Sequence, residues 1–440
     1  MKLYQIIGML LFSIFSFAQT ANDDKLWTLE DCIIYAKENS ITVKSVALTL
    51  QSAEVNYDKS KSMRLPNLFG NISQNFSSGT TIDPITSSYV SQQINSTSPV
   101  LTSSVTLFQG NQLTNQIKQN QLLVEQNSLY LEEAKNNVAL SITEAYLQAL
   151  FNKEAISIAQ NNLTSSEKEV ARSKARLDAG TIATKDYTDA VSQAATNKYT
   201  LVAAKNGYAQ QLIILKQLLE LGPEDSFEIA NLETQNTLIG AIPNKITVYN
   251  QALSNLPEIK AAALSKSVSE KELDIAKGAY LPTLSLSGSL GSGYTSVQET
   301  NFTDQLNLNF NQRVGLSLSI PIFNRNQTKA QVELAKIEIE KADIEAQATQ
   351  KELYRKIETS WQNATASVEQ LEASKTATDA AAESYKLAQK KYELNDLSTT
   401  DLVVSQNIYT NAQQNYIQAK YLNILYFQLL QFYQGNEIKL

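Results

Sequence analysis

Two segments of this chain are almost free of charged residues, and each lies between long stretches of helical sequence. Between Arg64 and Lys118 the only charged residue is Asp83, and between Lys277 and Arg325 there are only three. Both segments contain runs in which apolar and small polar residues alternate, as is typical of β-strands with one apolar face. The chain therefore has to combine long helices with a few strands that expose two different faces.

The alternation predicts two strands in each segment, at about 68–78 with 98–108 and at about 283–294 with 312–323, joined by polar loops. The clearest run places five apolar residues on one face of the last strand: Val314, Leu316, Leu318, Ile320 and Ile322. A weaker run in the first segment shares one face among four residues: Leu101, Ser103, Val105 and Leu107.

The rest of the chain has helical period and few helix breakers. Gly and Pro number only 14 and 8, about 5% of the chain, where about 12% is usual. We predict two long helices, at about 109–178 and 324–394. We also predict four short helices, at about 28–62, 185–221, 246–279 and 399–434. A long helix would measure roughly 100 Å and a short one about half of that, so two short helices end to end match one long helix.

The two halves of the chain repeat each other at a spacing of 215 or 216 residues. Four landmarks carry this spacing: Leu65-Pro66 with Leu281-Pro282, Leu107-Phe108 with Ile322-Phe323, Glu144-Ala-Tyr146 with Thr359-Ser-Trp361, and Asp186 with Asp401. We infer a helix–strand–strand–helix unit that occurs twice, in residues 19–222 and 246–440. An equatorial linker at 223–245 joins the two copies.

The first 18 residues are predicted to be a secretory signal peptide. Lys2 supplies a positive charge, Ile6–Phe17 is apolar but too short to span a bilayer, and Ser16-Phe17-Ala18 is a small-x-small cleavage site. An uncleaved anchor is the alternative. No later segment approaches the roughly 20 consecutive apolar residues of a membrane helix. We therefore expect an exported protein that is either soluble or barrel-forming.

Composition argues against several function classes. The net charge of −7 disfavours a nucleic-acid partner, which needs a basic face. The sequence has no His, the usual general base and the commonest transition-metal ligand. It also contains no nucleotide-binding loop, paired catalytic carboxylates or metal-ligand spacing. We expect no enzyme activity, cofactor or metal, and we expect the single cysteine, Cys32, to lie on a helix face without a disulfide partner.

Four strands are too few for a membrane barrel, which needs about eight or more. Unpaired strand edges are also unfavourable in lipid. An exported protein with this pattern would therefore have to pool strands between subunits. Three chains would give twelve strands, although alternation does not fix that number. The alternative is a periplasmic coiled-coil scaffold with a small soluble sheet.

In the order of its motifs, the predicted mature chain resembles the TolC-like outer-membrane efflux family over essentially its whole length. The first motif is residues 27–39 at the start of the mature chain. The others occur before the strands, after the strands and at two turns: Arg64-Leu-Pro66 and Tyr280-Leu-Pro282, Thr106-Leu-Phe-Gln-Gly110 and Ile320-Pro-Ile-Phe-Asn-Arg325, and residues 175–186 and 391–401. Each motif is weakly specific alone. In this order, and twice, they are strongly specific.

The resemblance implies a mainly helical protein with a membrane β-barrel portion. A homotrimer would form a twelve-stranded barrel in outer-membrane lipid, and the barrel would continue into a long periplasmic α-helical barrel. The resemblance also implies a passive exit duct of a tripartite efflux or type I secretion system. Such a duct meets a periplasmic adaptor, or membrane fusion, protein and serves an inner-membrane pump of the RND or ABC type.

Two turns, at about 176–186 and 391–401, are the predicted functional sites. Gly180 and Asn395 suit a left-handed turn. Thr184 and Thr399 are expected to cap the helices that follow, each with an acid near its positive end. The purely structural interpretation of those acids, Asp186 and Asp401, is that they complement the helix dipole.

The family resemblance gives the acids a second role, as a ring around a closed periplasmic entrance. The gate residues it implies are Asp186, Asp189, Asp401 and the aromatic Tyr392. This sequence departs from the best-known family member by carrying Val404 where that protein has a second acid and Leu397 where it has an arginine, which puts the tethers of the closed state in doubt. Adaptor docking is predicted at the exposed turn residues, which are otherwise ordinary solvated positions: Arg176, Leu177, Gly180, Thr181, Leu397 and Ser398. Tyr89 and Tyr294 are candidates for an aromatic girdle.

Overall fold

The computed structural model of the chain describes residues 26–91, 93–231, 241–394 and 396–438. The predicted signal peptide, linker residues 232–240 and Asn395 lie outside them. The protein is mainly helical and divides into two compact units. The first unit comprises the chain up to Lys44 together with Lys135–Ala252 and Arg355–Leu440, and the second comprises Ser45–Ala134 and Leu253–Tyr354.

Helices make up most of the described residues. In chain order they are α1 (Leu29–Asn39), α2 (Ile41–Ser62), α3 (Gln112–Asp178), α4 (Thr184–Leu218), α5 (Lys245–Asn255), α6 (Pro257–Gly278), α7 (Phe302–Leu308), α8 (Gln327–Glu393) and α9 (Thr399–Tyr433). Their lengths recur in the two halves: α3 and α8 have 67 residues each, α4 and α9 have 35, α2 and α6 have 22, and α1 and α5 have 11.

Two of the predicted short helices are each divided into two, so the prediction of single helices at 28–62 and 246–279 is wrong. The breaks fall at Ser40, with ψ 129°, and at Leu256, with ψ 133°. Pro257 explains the second break, because the residue before a proline is driven out of the helical region and the proline itself suits the first helical position. Ser40 precedes no proline, so the sequence gives no equally strong signal there.

The strands are concentrated in the second unit. In chain order the chain contains β1 (Leu26–Trp27), β2 (Phe69–Ser77), β3 (Thr80–Ile82), β4 (Tyr89–Ser91), β5 (Ile94–Gln109), β6 (Glu228–Ile229), β7 (Thr283–Gly291), β8 (Tyr294–Thr295) and β9 (Asn311–Ser319). The main sheet is antiparallel in the order β2-β5-β7-β9, and β8 pairs with β5 near its N-terminal end, at Ser96 and Thr97. All four predicted strands are present, with shifted ends.

Three details of the strand prediction are corrected. β9 ends at Ser319, so Ile320 and Ile322 lie beyond the strand. A bulge between Thr106 and Phe108 brings Phe108, rather than Leu107, opposite Leu284. The strand connections are not only polar loops. β3 and β4 form a hairpin in the connection between β2 and β5, and α7 lies in the connection between β7 and β9.

The first unit has its main core around the middle of α3. Tyr146 is buried, and its hydroxyl lies 3.0 Å from the carbonyl oxygens of both Trp27 and Ala230, next to the β1–β6 pair. Burial raises the pKa of Tyr146. At the matching position of α8, the indole of Trp361 donates a hydrogen bond of 3.0 Å to the carbonyl oxygen of Pro243. One aromatic side chain on each long helix therefore anchors a nearby non-helical segment. Cys32 is also buried in the core around α3.

Candidate functional site

The main sheet has one face that is largely apolar, which we call the apolar face. Cross-strand register places its side chains together: Ile72, Phe76, Pro99, Leu101, Val105, Phe108, Leu284, Leu286, Leu290, Val314, Leu316 and Leu318. Most of them are open to solvent in the single chain, and Ile72, Val314 and Leu316 are 75%, 82% and 65% exposed. A contiguous apolar surface of this kind marks a contact with lipid or protein.

The opposite face of the same sheet is polar. It carries Ser, Thr, Asn and Gly at the alternate positions, among them Ser73, Thr102, Ser287 and Ser317. Arg313 is the only charged residue of β2, β5, β7 and β9, and it belongs to this polar face, opposite Ser289. A nine-residue strand has the length of a membrane-spanning β-strand, about 9–11 residues. The sheet thus has the dimensions and the two-sided chemistry of a membrane sheet.

Both outer edges of this sheet are open. β2 pairs only with β5, and β9 pairs only with β7, among the strands of the described residues. Unpaired edges present backbone N–H and C=O groups that lipid cannot satisfy.

Aromatic side chains occur near both ends of the strands. Phe76 and Phe310 lie at the end that carries the connections, and Phe108 lies at the other, all of them exposed. Of the two predicted girdle residues, Tyr89 is 81% exposed, whereas Tyr294 packs against Phe302 at 5.1 Å between ring centroids. Exposure therefore favours Phe76 and Phe310 over Tyr294, a choice that alternation alone did not make.

The two strand connections are tied together by a buried polar cluster that the sequence prediction missed. The hydroxyl of Thr295 donates a hydrogen bond of 2.7 Å to the Asp83 carboxylate, which also accepts bonds from the backbone N–H groups of Ile85 and Thr86. Burial opposes ionisation of Asp83, yet these bonds outweigh it and lower its pKa. The side-chain amide of Gln305 donates to the carbonyl oxygen of Thr295. The sequence signal that could have indicated this cluster is that Asp83 is the only charged residue between Arg64 and Lys118.

The turn between α3 and α4 lies in the first unit. Gly180 adopts the left-handed conformation predicted for it, with φ +73°, and the N–H of Thr181 donates to the carbonyl oxygen of Arg176 at 2.9 Å. The turn between α8 and α9 repeats this bond, since the N–H of Asp396 donates to the carbonyl oxygen of Lys391 at 2.9 Å. Asn395, the predicted counterpart of Gly180, lies outside the described residues.

The predicted helix caps at Thr184 and Thr399 are wrong by one residue. Ser398 caps α9, since its hydroxyl oxygen accepts the N–H of Asp401 at 3.1 Å and its hydroxyl donates to the Asp401 carboxylate at 2.7 Å. α4 begins after Ala183, whose side chain has no acceptor, so the Asp186 carboxylate accepts the N–H of Ala183 at 3.3 Å instead. Both acids therefore stabilise the start of a helix.

Three of the four predicted gate residues have exposed or half-buried side chains, and one is buried. Asp401 is exposed and Asp186 is half-buried, while Asp189 is paired with Lys185 at 2.6 Å, a contact that raises the pKa of Lys185. Tyr392 is only 2% exposed. Its hydroxyl lies 3.3 Å from that of Thr399 and 3.4 Å from that of Ser173, so within one chain it ties α3, α8 and α9 together.

The predicted docking residues differ in exposure. Gly180, Thr181 and Ser398 are exposed, and the other three are half-buried: Arg176, Leu177 and Leu397. The guanidinium of Arg176 lies 5.4 Å from the centre of the Tyr392 ring, so this arginine contacts the helix packing as well as solvent. The sequence prediction missed Leu394, which is 79% exposed in the same turn.

Between the helices near these turns lies a polar cavity of about 210 Å³. Its walls carry charged and amide side chains as well as Tyr385: Glu169, Arg172, Gln193, Gln389, Glu393 and Gln406. Arg172 spans two helices, 3.1 Å from Glu393 of α8 and 3.6 Å from Glu169 of its own helix. The helices near the turns are thus held by polar contacts, in contrast to the apolar core around Tyr146.

None of the helices in the described part of the chain is long and apolar enough to cross a membrane. The apolar face and the open edges of the main sheet are features of largely helical proteins that contact a membrane through a β-sheet. The family model for "Outer membrane efflux protein" matches residues 33–220 and 248–429, and the chain belongs to that family.

Members of this family are efflux proteins of the outer membrane rather than enzymes. The chain is accordingly located in the outer membrane, with its helical portion in the periplasm. It is 24% identical over 269 residues to outer membrane protein TolC of Escherichia coli strain K12, a match that covers 60% of this chain and 54% of TolC. It is 24% identical over 283 residues to outer membrane efflux protein BepC of Brucella suis biovar 1, covering 60% of this chain and 55% of BepC.

The matched region therefore spans about half the length of these two curated relatives. Among solved structures, outer membrane protein VceC of Vibrio cholerae superposes with a TM-score of 0.77 at 15% identity, covering 93% of this chain and 97% of VceC. At that identity the likeness establishes the fold alone.

Proposed function

We propose that this protein is the outer-membrane exit duct of a tripartite efflux or type I secretion system. The main support is the sheet of β2, β5, β7 and β9, which combines an exposed apolar face, a polar face and two open edges. Three chains supply twelve such strands, enough to close a barrel. The apolar face then meets lipid and the polar face lines water, which leaves a passive pore.

A homotrimer is part of this proposal, because a single chain leaves the edges of its sheet unpaired. Fractionation of cells and gel analysis without heating provide the test. We expect the protein in outer-membrane fractions as a trimer that dissociates on heating, and stepwise conductance in planar bilayers. A freely soluble periplasmic monomer would support the scaffold alternative instead.

Asp186 and Asp401 are proposed to border the periplasmic entrance. In a trimer each acid occurs three times, and a ring of acids attracts cations and repels anions. Because both carboxylates also accept hydrogen bonds at helix starts, from the N–H of Ala183 and from the hydroxyl of Ser398, Asp→Asn is a better test than Asp→Ala. Asn retains an acceptor and removes only the charge.

We expect the double variant Asp186→Asn, Asp401→Asn to lose cation selectivity and block by divalent cations in planar bilayers. Asp178→Asn is the matched control, since Asp178 is an exposed acid at the end of α3 that pairs with Lys174. Unchanged selectivity in the double variant would exclude the ring. Val404→Asp, which restores an acid one turn after Asp401, should strengthen cation block.

The turns are also proposed to bind the periplasmic adaptor, through which the duct serves an inner-membrane pump of the RND or ABC type. Leu394 and Leu397 offer apolar surface at the second turn, where an apolar side chain gains most by leaving water. Leu394→Glu with Leu397→Glu should abolish co-purification of the periplasmic adaptor protein. Thr400→Glu, on an exposed residue of the same region, is the control. Loss of binding in both variants would indicate general disruption of the turn.

A further inference from the structure

The two ends of the main sheet are flanked by charges of opposite sign. The connections at one end, residues 78–93 and 292–310, contain three acids and no basic residue. At the other end, where the strands meet the helices, residues 59–76, 105–124, 275–285 and 316–332 contain no acid. The charged residues of those four segments are all basic and all exposed: Lys59, Lys61, Arg64, Lys118, Lys277, Arg325 and Lys329. In the proposed barrel this basic end of the sheet lies at the inner leaflet of the outer membrane, because the helices are in the periplasm.

The positive charge is concentrated beside the two outer strands of the sheet. Five cations lie at the end of α2, before β2, or at the start of α8, after β9, and we call them the boundary cations: Lys59, Lys61, Arg64, Arg325 and Lys329. The internal repeat gives each of them a counterpart beside the inner strands β5 and β7: Ile275, Lys277, Tyr280, Gly110 and Thr114. Only one of these five counterparts is a cation. The repeat therefore accounts for the fold at these positions but not for the charge.

Nearby acids leave most of this charge uncompensated. Asp58 lies 3.1 Å from Lys61, and Glu333 lies 2.9 Å from Lys336 rather than beside a boundary cation. Among the described residues the other four boundary cations form no ion pair. Closing the proposed barrel brings the β9 edge of one chain to the β2 edge of the next, so each subunit boundary combines all five cations.

Exposed apolar side chains lie next to the boundary cations in sequence. Ile322, Phe323 and Leu65 are 94%, 78% and 67% exposed in the single chain. They lie where the strands end, between the apolar face and the basic helix ends. The same place thus offers apolar surface for an acyl chain and positive charge for an anionic head group.

We propose that each subunit boundary binds an anionic phospholipid of the inner leaflet, with its phosphate at Arg64 of one copy and Arg325 of the next. This inference rests on the proposed trimer. The planar guanidinium group donates two parallel hydrogen bonds to phosphate oxygens, and the three lysines add positive charge. Basic pockets at the edge of a membrane domain bind anionic head groups in this way. A zwitterionic lipid gains less, because its own ammonium group is repelled by the same cations.

Native mass spectrometry of the intact trimer in detergent tests the proposal by counting bound lipids. The probes are phosphatidylglycerol, which is anionic, and phosphatidylcholine, which is zwitterionic, with the same acyl chains. We expect phosphatidylglycerol to occupy up to three sites per trimer at concentrations where phosphatidylcholine does not bind. Its binding should weaken as salt is added, because ions screen exposed charges.

Arg64→Gln with Arg325→Gln should weaken phosphatidylglycerol binding roughly 25-fold, since each cation contributes about fivefold. The matched control, Lys118→Gln with Lys277→Gln, removes the same charge at the same end of the sheet but beside the inner strands. We expect it to change binding by less than about twofold.

A second variant guards against a folding defect, because the Arg64 guanidinium also donates a hydrogen bond of 2.9 Å to the hydroxyl of Thr114. Lys59→Gln with Lys329→Gln leaves that bond in place, and both lysines are exposed. It should weaken phosphatidylglycerol binding to a similar extent.

The outcomes separate the lipid site from the duct. Equal binding of the two lipids, or an equal loss in the control and boundary variants, would overturn the site while leaving a trimer in place. Displacement of phosphatidylglycerol by millimolar inorganic phosphate alone would indicate a simple anion site and overturn its assignment to lipid. A protein that is monomeric by native mass in detergent and in membranes would instead overturn the proposed function itself.

Discussion

The two points where the chain passes from a strand into a long helix have the same backbone and different residues. Gly110 and Asn111 precede α3 with φ of +54° and +60°, and Arg325 and Asn326 precede α8 with φ of +55° and +63°. Left-handed backbone favours glycine, yet only the first junction has it. The reason is a long-range contact. A Cβ on Gly110 would collide with the carbonyl oxygen of Gly278, whereas Arg325 is exposed.

Gly278 is under the same restriction, because a Cβ there would lie 2.5 Å from the carbonyl oxygen of Gly110. At the second junction the shift of 216 residues carries Gly278 back to Ser62. In the proposed trimer Arg325 of one copy would therefore approach Ser62 of the next, and neither residue permits so close a contact. The comparison shows that the junction at Gly110 is tightly packed, whereas the junction at Arg325 is exposed in the single chain.

Placing the residue of one junction at the other should give the largest change in stability. We expect Gly110→Arg to destabilise the fold by about 3 kcal/mol or more, because it adds both overpacking against Gly278 and left-handed strain. Arg325→Gly should change stability by less than about 1 kcal/mol, since relief of strain is offset by the greater entropy of the unfolded chain. Thermal unfolding by circular dichroism in detergent measures both. Equal effects of the two substitutions would contradict the difference between the joints.

The two aromatic anchors should differ by less. Tyr146→Phe removes the hydroxyl of a buried side chain that bonds to the carbonyl oxygen of Ala230, and it should cost about 1–3 kcal/mol. Trp361→Phe removes the bond to the carbonyl oxygen of Pro243 from a partly exposed site and should cost about 1 kcal/mol. The same unfolding measurement ranks them, and a larger loss for Trp361→Phe would reverse the assignment of the stronger anchor.

The two helix caps allow a gain as well as a loss. Ser398→Ala removes the hydroxyl that accepts the N–H of Asp401 and should cost about 1 kcal/mol. Ala183→Ser supplies the missing acceptor in the first copy and should add up to about 1 kcal/mol. Combining both substitutions should nearly restore the stability of the original protein. A destabilised Ala183→Ser variant would indicate that the first turn cannot accommodate a hydroxyl cap.

Alkaline pH should distinguish the two anchors most weakly. Burial raises the pKa of Tyr146 in the folded protein above its unfolded value of about 10. The stability linked to the neutral phenol is therefore fully present below about pH 10 and is lost as pH rises further. Tyr146→Phe should reduce the loss of stability between about pH 10 and 11, whereas Trp361→Phe should leave it unchanged because an indole does not titrate. Parallel pH profiles for all three proteins would refute this.

Much of the architecture could be predicted from local sequence. The period of apolar residues predicted both long helices to within a few residues, because helical period depends on neighbours three and four positions away. Alternation likewise predicted the four strands of the main sheet. The helix break at Leu256 was also accessible from sequence, since Pro257 follows it directly.

The candidate site was predicted in part. The turns were located correctly, and the left-handed Gly180 was expected from its type. The caps were misplaced because Ser398 and Thr399 are adjacent and have similar hydroxyls. The structure distinguishes them: the hydroxyl oxygen of Ser398 accepts the N–H of Asp401, whereas the hydroxyl of Thr399 lies 3.3 Å from that of the buried Tyr392. The exposure of Leu394 depends on what the rest of the turn covers, and no sequence period reports it.

The sequence by itself determined the repeated order of helices and strands and the two faces of the sheet, because both arise from interactions between residues close along the chain. Tertiary structure alone decided which edges remain open, that Gly110 must meet Gly278, and that the Asp83 carboxylate accepts a hydrogen bond from Thr295 besides those of two backbone amides. These features join residues more than 150 positions apart in two of the three cases. Their partners are set by packing of the whole chain, which local periodicity does not encode.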